Sequence, residues 1–174
     1  TVGRIEPRKN QLNIIKVFKD LKSTPEFKDW KLVFIGQLSN KSYEYKYRFN
    51  FEISHNKRDI LYLGQQKPEL VASAMAHEGI YLHPSWFETT GLVCLEALLA
   101  GMPVVTSSTR LKEYVKNGIQ YCEPQDIESI KSAILKSVFE RPDLSETIRN
   151  IKQNYSWDVA GQQTIKVYKE VLGI

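Results

Sequence analysis

The sequence is poor in the groups that build disulfide frameworks and metal centres. It has two cysteines in 174 residues, Cys94 and Cys122, both in apolar surroundings and neither at metal-ligand spacing. That suits a reduced protein better than a cross-linked one. There is no D-x-D, and no clustering of His, Cys and carboxylate along the chain. No metal is therefore expected to hold an anionic ligand, and no cofactor is indicated. No apolar run is long enough to span a membrane, and no signal peptide is visible. The expected location is cytoplasmic, at most peripheral at the inner membrane face. A chain opening on Thr1 without a methionine reads as cut from a longer one. Charge of one sign is lacking too: the net charge is only +4, and the 24 Lys and Arg are dispersed, which argues against nucleic acid as a partner. Repeats, low-complexity tracts and linkers are absent, so residues 1–174 read as a single domain.

What is present is an ordinary globular composition, 42% hydrophobic and 25% charged, with apolar runs of two kinds. Trp30 to Gly36, Asp59 to Gly64, Gly79 to Leu82, Val104 onward and Ile119 to Cys122 are short and continuous, as strands buried on both faces are. Between them lie helical patterns. Leu12, Ile15, Phe18 and Leu21 recur at helical spacing behind Asn10, and Tyr43 to His55 reads as an aromatic, charged helix. Pro68 can open a short helix. Glu113 to Gly118 suggests another short helix, Asp126 and Ser156 are N-cap candidates, and Leu144 to Tyr155 reads as a further helix. Strands alternating with helices imply an α/β fold, a Rossmann-like three-layer αβα sandwich on a parallel sheet. Six strands are expected, the first shortened because the chain opens within it.

The densest stretch runs from His83 to Val105. A strand ends at Pro84, a loop carries Glu88, and Gly91 precedes a largely apolar helix containing Glu96. Gly101 and Pro103 then stop that helix before the next strand. A helix N-terminus aimed at a glycine loop can hold an anion through its free amides. Ligands of open α/β sheets gather at the carboxyl ends of the strands. The loops at Gly3–Asn10, Gly36–Lys41, Gly64–Pro68 and His83–Gly91 are therefore expected to share one cleft.

Glu88 to Glu96 is similar to the E-x7-E signature of retaining glycosyltransferases with the GT-B architecture. That family includes glycogen synthases and many mannosyl- and glucosyltransferases. H-P-S before the signature and E-A-L-L-A-G-M-P-V-V after it make the likeness specific. It covers nearly the whole chain and corresponds to the C-terminal half of such an enzyme. The resemblance implies transfer of a hexose from a nucleoside diphosphate sugar, the donor substrate, to a carbohydrate or lipid-linked acceptor, in polysaccharide or glycoconjugate synthesis. The cleft would be completed by the protein's own N-terminal domain.

By the same resemblance the loop G-R-I-E-P-R-K-N, from Gly3 to Asn10, matches a G-R-x-x-P-x-K-G phosphate loop, with Arg4 and Lys9 on the diphosphate. A planar guanidinium and a mobile ammonium suit that task. Asn10 stands where the family has glycine, and asparagine tolerates a left-handed backbone. Glu88 would face the donor sugar and Glu96 the ribose. The amides of Thr90, Gly91 and Leu92 would meet sugar and phosphate, and backbone near Gly64 to Lys67 would hold the base. Thr89 and Thr90 replace the family's usual Gly-Phe, so the sugar is not named. Read from the residues alone, Arg8 is a solvated surface charge, and His83 beside Pro84 is a structural histidine. Two rival functions remain open: a sugar-nucleotide epimerase of similar architecture, and a nucleotide-binding module without catalysis.

Overall fold

The computed structural model describes residues 1–173. Five strands alternate with helices, and every strand pairing is parallel. A 3-10 turn at Pro7–Lys9 leads into α1 (Gln11–Leu21), and then follow β1 (Leu32–Phe34), α2 (Tyr43–His55), β2 (Ile60–Tyr62) and α3 (Pro68–Met75). The second half runs β3 (Tyr81–His83), α4 (Leu92–Leu99), β4 (Val104–Thr106), β5 (Ile119–Tyr121), α5 (Ile127–Glu140), α6 (Ser145–Asn154) and α7 (Trp157–Leu172). Asp126 caps α5 by accepting from the amides of Glu128 and Ser129, and Ser156 caps α7 by accepting from Val159.

The three layers follow from strand alternation. Leu82 and Val105 point into one apolar cluster, with Ile15 and Phe18 of α1, Phe49 of α2 and Ile130 of α5. Their neighbours Tyr81 and Val104 point the other way, to Met75 of α3, Cys94 and Leu98 of α4 and Ile151 of α6. Two successive residues of one strand thus feed two cores on opposite faces of the sheet.

The expected single six-stranded sheet is not what forms. The ladders are two, β1–β2 and β3–β4–β5, and the N-terminal segment joins β1 only through isolated parallel bridges, Val2 to Ile35 and Ile5 to Leu38. Between that segment and β3 a side chain spans the seam: the Tyr81 hydroxyl donates to the Val2 carbonyl at 2.9 Å. The cause of the interruption is local. Gly3 and Gly36 both have φ near +140°, so the segment and the exit of β1 kink together instead of running on as a ladder.

Other expectations shift as well. Glu113 to Gly118 is not a helix; a 3-10 helix at Thr109–Glu113 buries Leu111, and Val115 follows it into the core. So short a stretch cannot nucleate an α-helix, and burial of those two side chains shapes it instead. Helix α4, oily all round in sequence, is half buried: Cys94, Ala97 and Leu98 face the core while Leu92 and Leu99 are exposed. No residue of α7 is buried. Among the described residues no helix is long and apolar enough to cross a membrane.

Asn10 holds the left-handed backbone expected of it, with φ of 62°. It does more than tolerate the turn. Its buried side-chain amide donates to the carbonyls of Pro84 at 2.9 Å and Pro124 at 2.7 Å, tying three segments. Asn10→Ala is expected to cost about 2–4 kcal/mol in chemical denaturation, from two lost hydrogen bonds and the strained φ. Asn10→Gly, which keeps the turn, should cost about half as much. Equal losses for the two variants would show that the backbone conformation contributes nothing.

Candidate functional site

The site lies where β3 ends. Strand register puts His83 beside Thr106, whose hydroxyl donates to the His83 carbonyl at 3.1 Å. The chain then passes through buried Pro84 and Ser85, the latter's carbonyl accepting from the Ser107 hydroxyl. From there it is laced to the Pro7–Lys9 turn. The Trp86 amide donates to the Arg8 carbonyl at 2.8 Å, and the Arg8 guanidinium donates to the Phe87 carbonyl at 3.0 Å. This lacing delivers Glu88 to Lys9 and His83.

One oxygen of Glu88 collects three nitrogens. Its Oε2 is 2.5 Å from Lys9 Nζ, 2.8 Å from His83 Nε2 and 3.8 Å from Arg8 Nη1. The other oxygen, Oε1, accepts from the Thr89 amide at 3.3 Å. The His83 hydrogen bond, and the Lys9 ammonium beside it, hold the Glu88 carboxyl well below the usual carboxylate range. His83 is almost wholly buried, and this burial lowers its pKa despite the carboxylate. Beneath it Nδ1 lies 3.3 Å from the Tyr81 hydroxyl, on a ring stacked with the imidazole.

Arg4 stands apart from this cluster. Its side chain is 59% exposed, and among the described residues its ion pair is a loose one with Glu6 at 3.8 Å. Glu6 is also the partner of Arg8 at 3.0 Å. Arg8 is therefore not the solvated charge expected from sequence but a brace between Glu6 and the Phe87 carbonyl. Gly3 faces the stem of Lys9: a Cβ there would sit 3.8 Å from Lys9 Cε.

The remaining expected residues form the rim. Gly91 adopts φ of 65° and serves as N-cap of α4 without any side-chain cap, so the amides of Leu92 and Val93 have no helical acceptor, and the first helical bond runs from the Cys94 amide to the Gly91 carbonyl at 2.8 Å. Thr89, Thr90 and Leu92 are exposed beside it. Glu96 is exposed further along α4; among the described residues no hydrogen bond or ion pair occupies its carboxylate. Gly64 turns with φ of 67°, and its carbonyl accepts from the Gly36 amide at 2.8 Å. Among the described residues no three His, Cys, Asp or Glu side chains come together as metal ligands would.

Concavities of about 490 Å³ between α1 and α2 and of about 300 Å³ around Asp59 lie away from these loops. Sequence reasoning also passed over His83, Tyr81 and Glu6. The first two carry a signal, since residues two apart on a strand share a face. Tyr81 and His83 therefore had to lie on one side of β3, the side away from Leu82.

An all-parallel, three-layer α/β domain is the architecture of one half of a GT-B glycosyltransferase. The profile of the family described as Glycosyl transferases group 1 matches residues 1–154. The chain belongs to that family, and corresponds to its C-terminal domain. It is 29% identical to O-antigen chain mannosyltransferase B of Escherichia coli, over 97% of this chain and 44% of that protein. Sucrose-phosphate synthase from Thermosynechococcus elongatus superposes with a TM-score of 0.81 at 19% identity, over 99% of this chain and 45% of that one. Anabaena HepE, in complex with UDP and glucose, gives 0.79 at 20% identity, over 97% and 48%. The chain thus spans about half the length of these relatives.

Proposed function

We propose that this chain binds the donor, a hexose on a nucleoside diphosphate, for a retaining glycosyl transfer to the hydroxyl of a carbohydrate or lipid-linked acceptor. The observation that carries the reading is the Lys9–Glu88–His83 cluster, set at a strand exit beside the uncapped N-terminus of α4. A diphosphate laid there meets the third hydrogen-bonding direction of Lys9, the Arg4 guanidinium and the α4 amides. Those groups would offset the charge that develops on the departing phosphate. Glu88, ionised and aimed by two partners, would face the hexose, and unpartnered Glu96 would take the ribose diol. The chain's span of about half its relatives' length supports a division of labour in which the acceptor and the opposite wall come from the protein's own N-terminal domain. The relatives include a mannosyltransferase, and a structural neighbour holds UDP and glucose, which supports the donor class.

The test is calorimetric titration with UDP, GDP and ADP, their sugars and the bare nucleosides. One of the diphosphate series should bind. Glu96→Gln should weaken every nucleotide through the ribose, whereas Glu88→Gln should weaken the nucleotide sugar more than the bare diphosphate. If the two variants act equally on the bare diphosphate, this division between the glutamates is wrong. If no member of the panel binds, the donor reading fails.

A further inference from the structure

His83 has more to satisfy than a neutral imidazole can give. The Tyr81 hydroxyl spends its one proton on the Val2 carbonyl, so its oxygen faces His83 Nδ1 as an acceptor. On the other side Nε2 faces the Glu88 carboxylate, also an acceptor. A neutral ring carries one N–H and meets only one of these; the imidazolium meets both. In the structure Lys9 lets the ring stay neutral. Its ammonium is in contact with Glu88 and lies 3.4 Å from His83 Nε2, so it offsets the carboxylate's charge while the ring keeps its one proton on Nε2, 2.8 Å from Glu88, and leaves Nδ1 bare against the Tyr81 oxygen. Lys9 is also the cation proposed above for the donor phosphates.

We propose that His83 is the positioning residue for Glu88 in the donor-bound state, and that it takes a proton from solvent as the donor diphosphate draws Lys9 away. The proton goes to the ring nitrogen that lacks one; no covalent bond to carbon, oxygen or phosphorus changes. The inference rests on the donor reading above. It deepens it by giving Glu88 a second holder once Lys9 is engaged.

The charged neighbours support the direction. From the Pro7–Lys9 turn come Lys9, which lowers the pKa of His83, and Arg8, near Glu88; from the loop comes Glu88, which raises it. Burial pushes Tyr81 on β3 well above its usual range, with Cys94 and Glu96 of α4 adding to it, and β4 offers only uncharged Thr106. Moving Lys9 towards phosphate weakens a charge that keeps His83 neutral and brings two negative charges nearer, so the pKa of His83 rises on binding. A group whose pKa is higher in the complex tightens binding as pH falls. The gain is complete below the pKa of the free protein and lost above that of the complex.

The experiment uses the sugar diphosphates of uridine, guanosine and adenosine, diesters with no proton to gain near neutrality. Calorimetry in buffers of small and large ionisation enthalpy, near pH 7, should show uptake of up to about one proton. Affinity should rise about three- to tenfold from about pH 8 to about pH 6, a factor of ten for each unit of pKa shift. His83→Gln should bind without proton uptake and with a flat pH profile. A ligand-free arm follows the imidazole resonances by NMR: Lys9→Met should raise the pKa of His83 without any nucleotide. Uptake that persists in His83→Gln, a flat wild-type profile, or an unmoved His83 pKa in Lys9→Met would each overturn the proposal. If His83→Gln does not fold, wild-type uptake and the Lys9→Met titration decide. Binding without pH dependence sinks this inference alone; absence of any nucleotide-sugar binding sinks it together with the donor reading.

Discussion

Gly36→Ala should destabilise the protein by roughly 3–5 kcal/mol, a large part of the 5–15 kcal/mol typical of a domain. At Gly36 φ is +141°, a region closed to residues with a side chain. The added Cβ would also lie 2.0 Å from the Gly3 carbonyl oxygen and 2.6 Å from its carbon. These are backbone atoms, held by the Gly3 amide's bond to Ile35 and the Ile5 amide's bond to Gln37, both 2.9 Å. Relief requires parting the N-terminal segment from β1, and that segment carries the loop bearing Lys9. Urea unfolding of wild type and variant measures the effect. Gly118 is the useful contrast: there an added Cβ would meet the Leu144 side chain, which can rotate, so the cost should be roughly 1–2 kcal/mol, mostly from φ of +87°. A Gly36→Ala loss below about 1 kcal/mol would mean that the Gly3–Gly36 contact yields easily.

Lys9→Met should weaken nucleoside diphosphate binding about ten- to a hundredfold, while a bare nucleoside loses almost nothing. The Lys9 side chain is mostly buried, 14% exposed, so a charge-assisted hydrogen bond from it is little screened and contributes about 1.5–3 kcal/mol. Methionine keeps the stem that packs under Gly3 and removes only the charge. Arg4→Ala should cost less, about three- to tenfold, because its guanidinium is exposed and Glu6 competes for it. Calorimetry with each nucleoside and its diphosphate reads both. If nucleoside and diphosphate suffer alike, Lys9 holds the loop and not the phosphates. Arg8→Ala now carries a different expectation from that of a solvated charge. It removes the brace to the Phe87 carbonyl, so it should loosen the Glu88 loop without favouring either ligand.

Much of this was legible in the sequence because it is written in local chemistry. The apolar runs ending on Gly36, Gly64 and Pro84 announce buried strands, and helical periodicity between them leaves only a parallel arrangement. Asn10 at a family glycine position foretold a left-handed residue, and φ of 62° is what the chain adopts. The E-x7-E spacing placed Glu88 in a loop and Glu96 on the following helix, as found. What was not legible depends on residues far apart in the chain. That Arg8 braces Phe87, and that Asn10 bridges Pro84 and Pro124, needs loops 74 to 114 positions distant to meet. The broken ladder needs two glycines on different segments to kink at one place.

The sequence by itself determined the layered α/β class, the family and which residues form the Gly3–Asn10 loop and the α4 rim, because periodicity, caps and a dense motif act over a few residues. Only the tertiary structure decided how the charges are shared. It drew Lys9, His83 and one oxygen of Glu88 within hydrogen-bonding distance, left Arg4 exposed with a loose ion pair to Glu6 and Glu96 exposed on α4, and turned an unremarkable histidine into the partner of the site's carboxylate. Charge interactions depend on distance and on exclusion of water, and neither exists until the loops from β3 and the N-terminal segment have packed together.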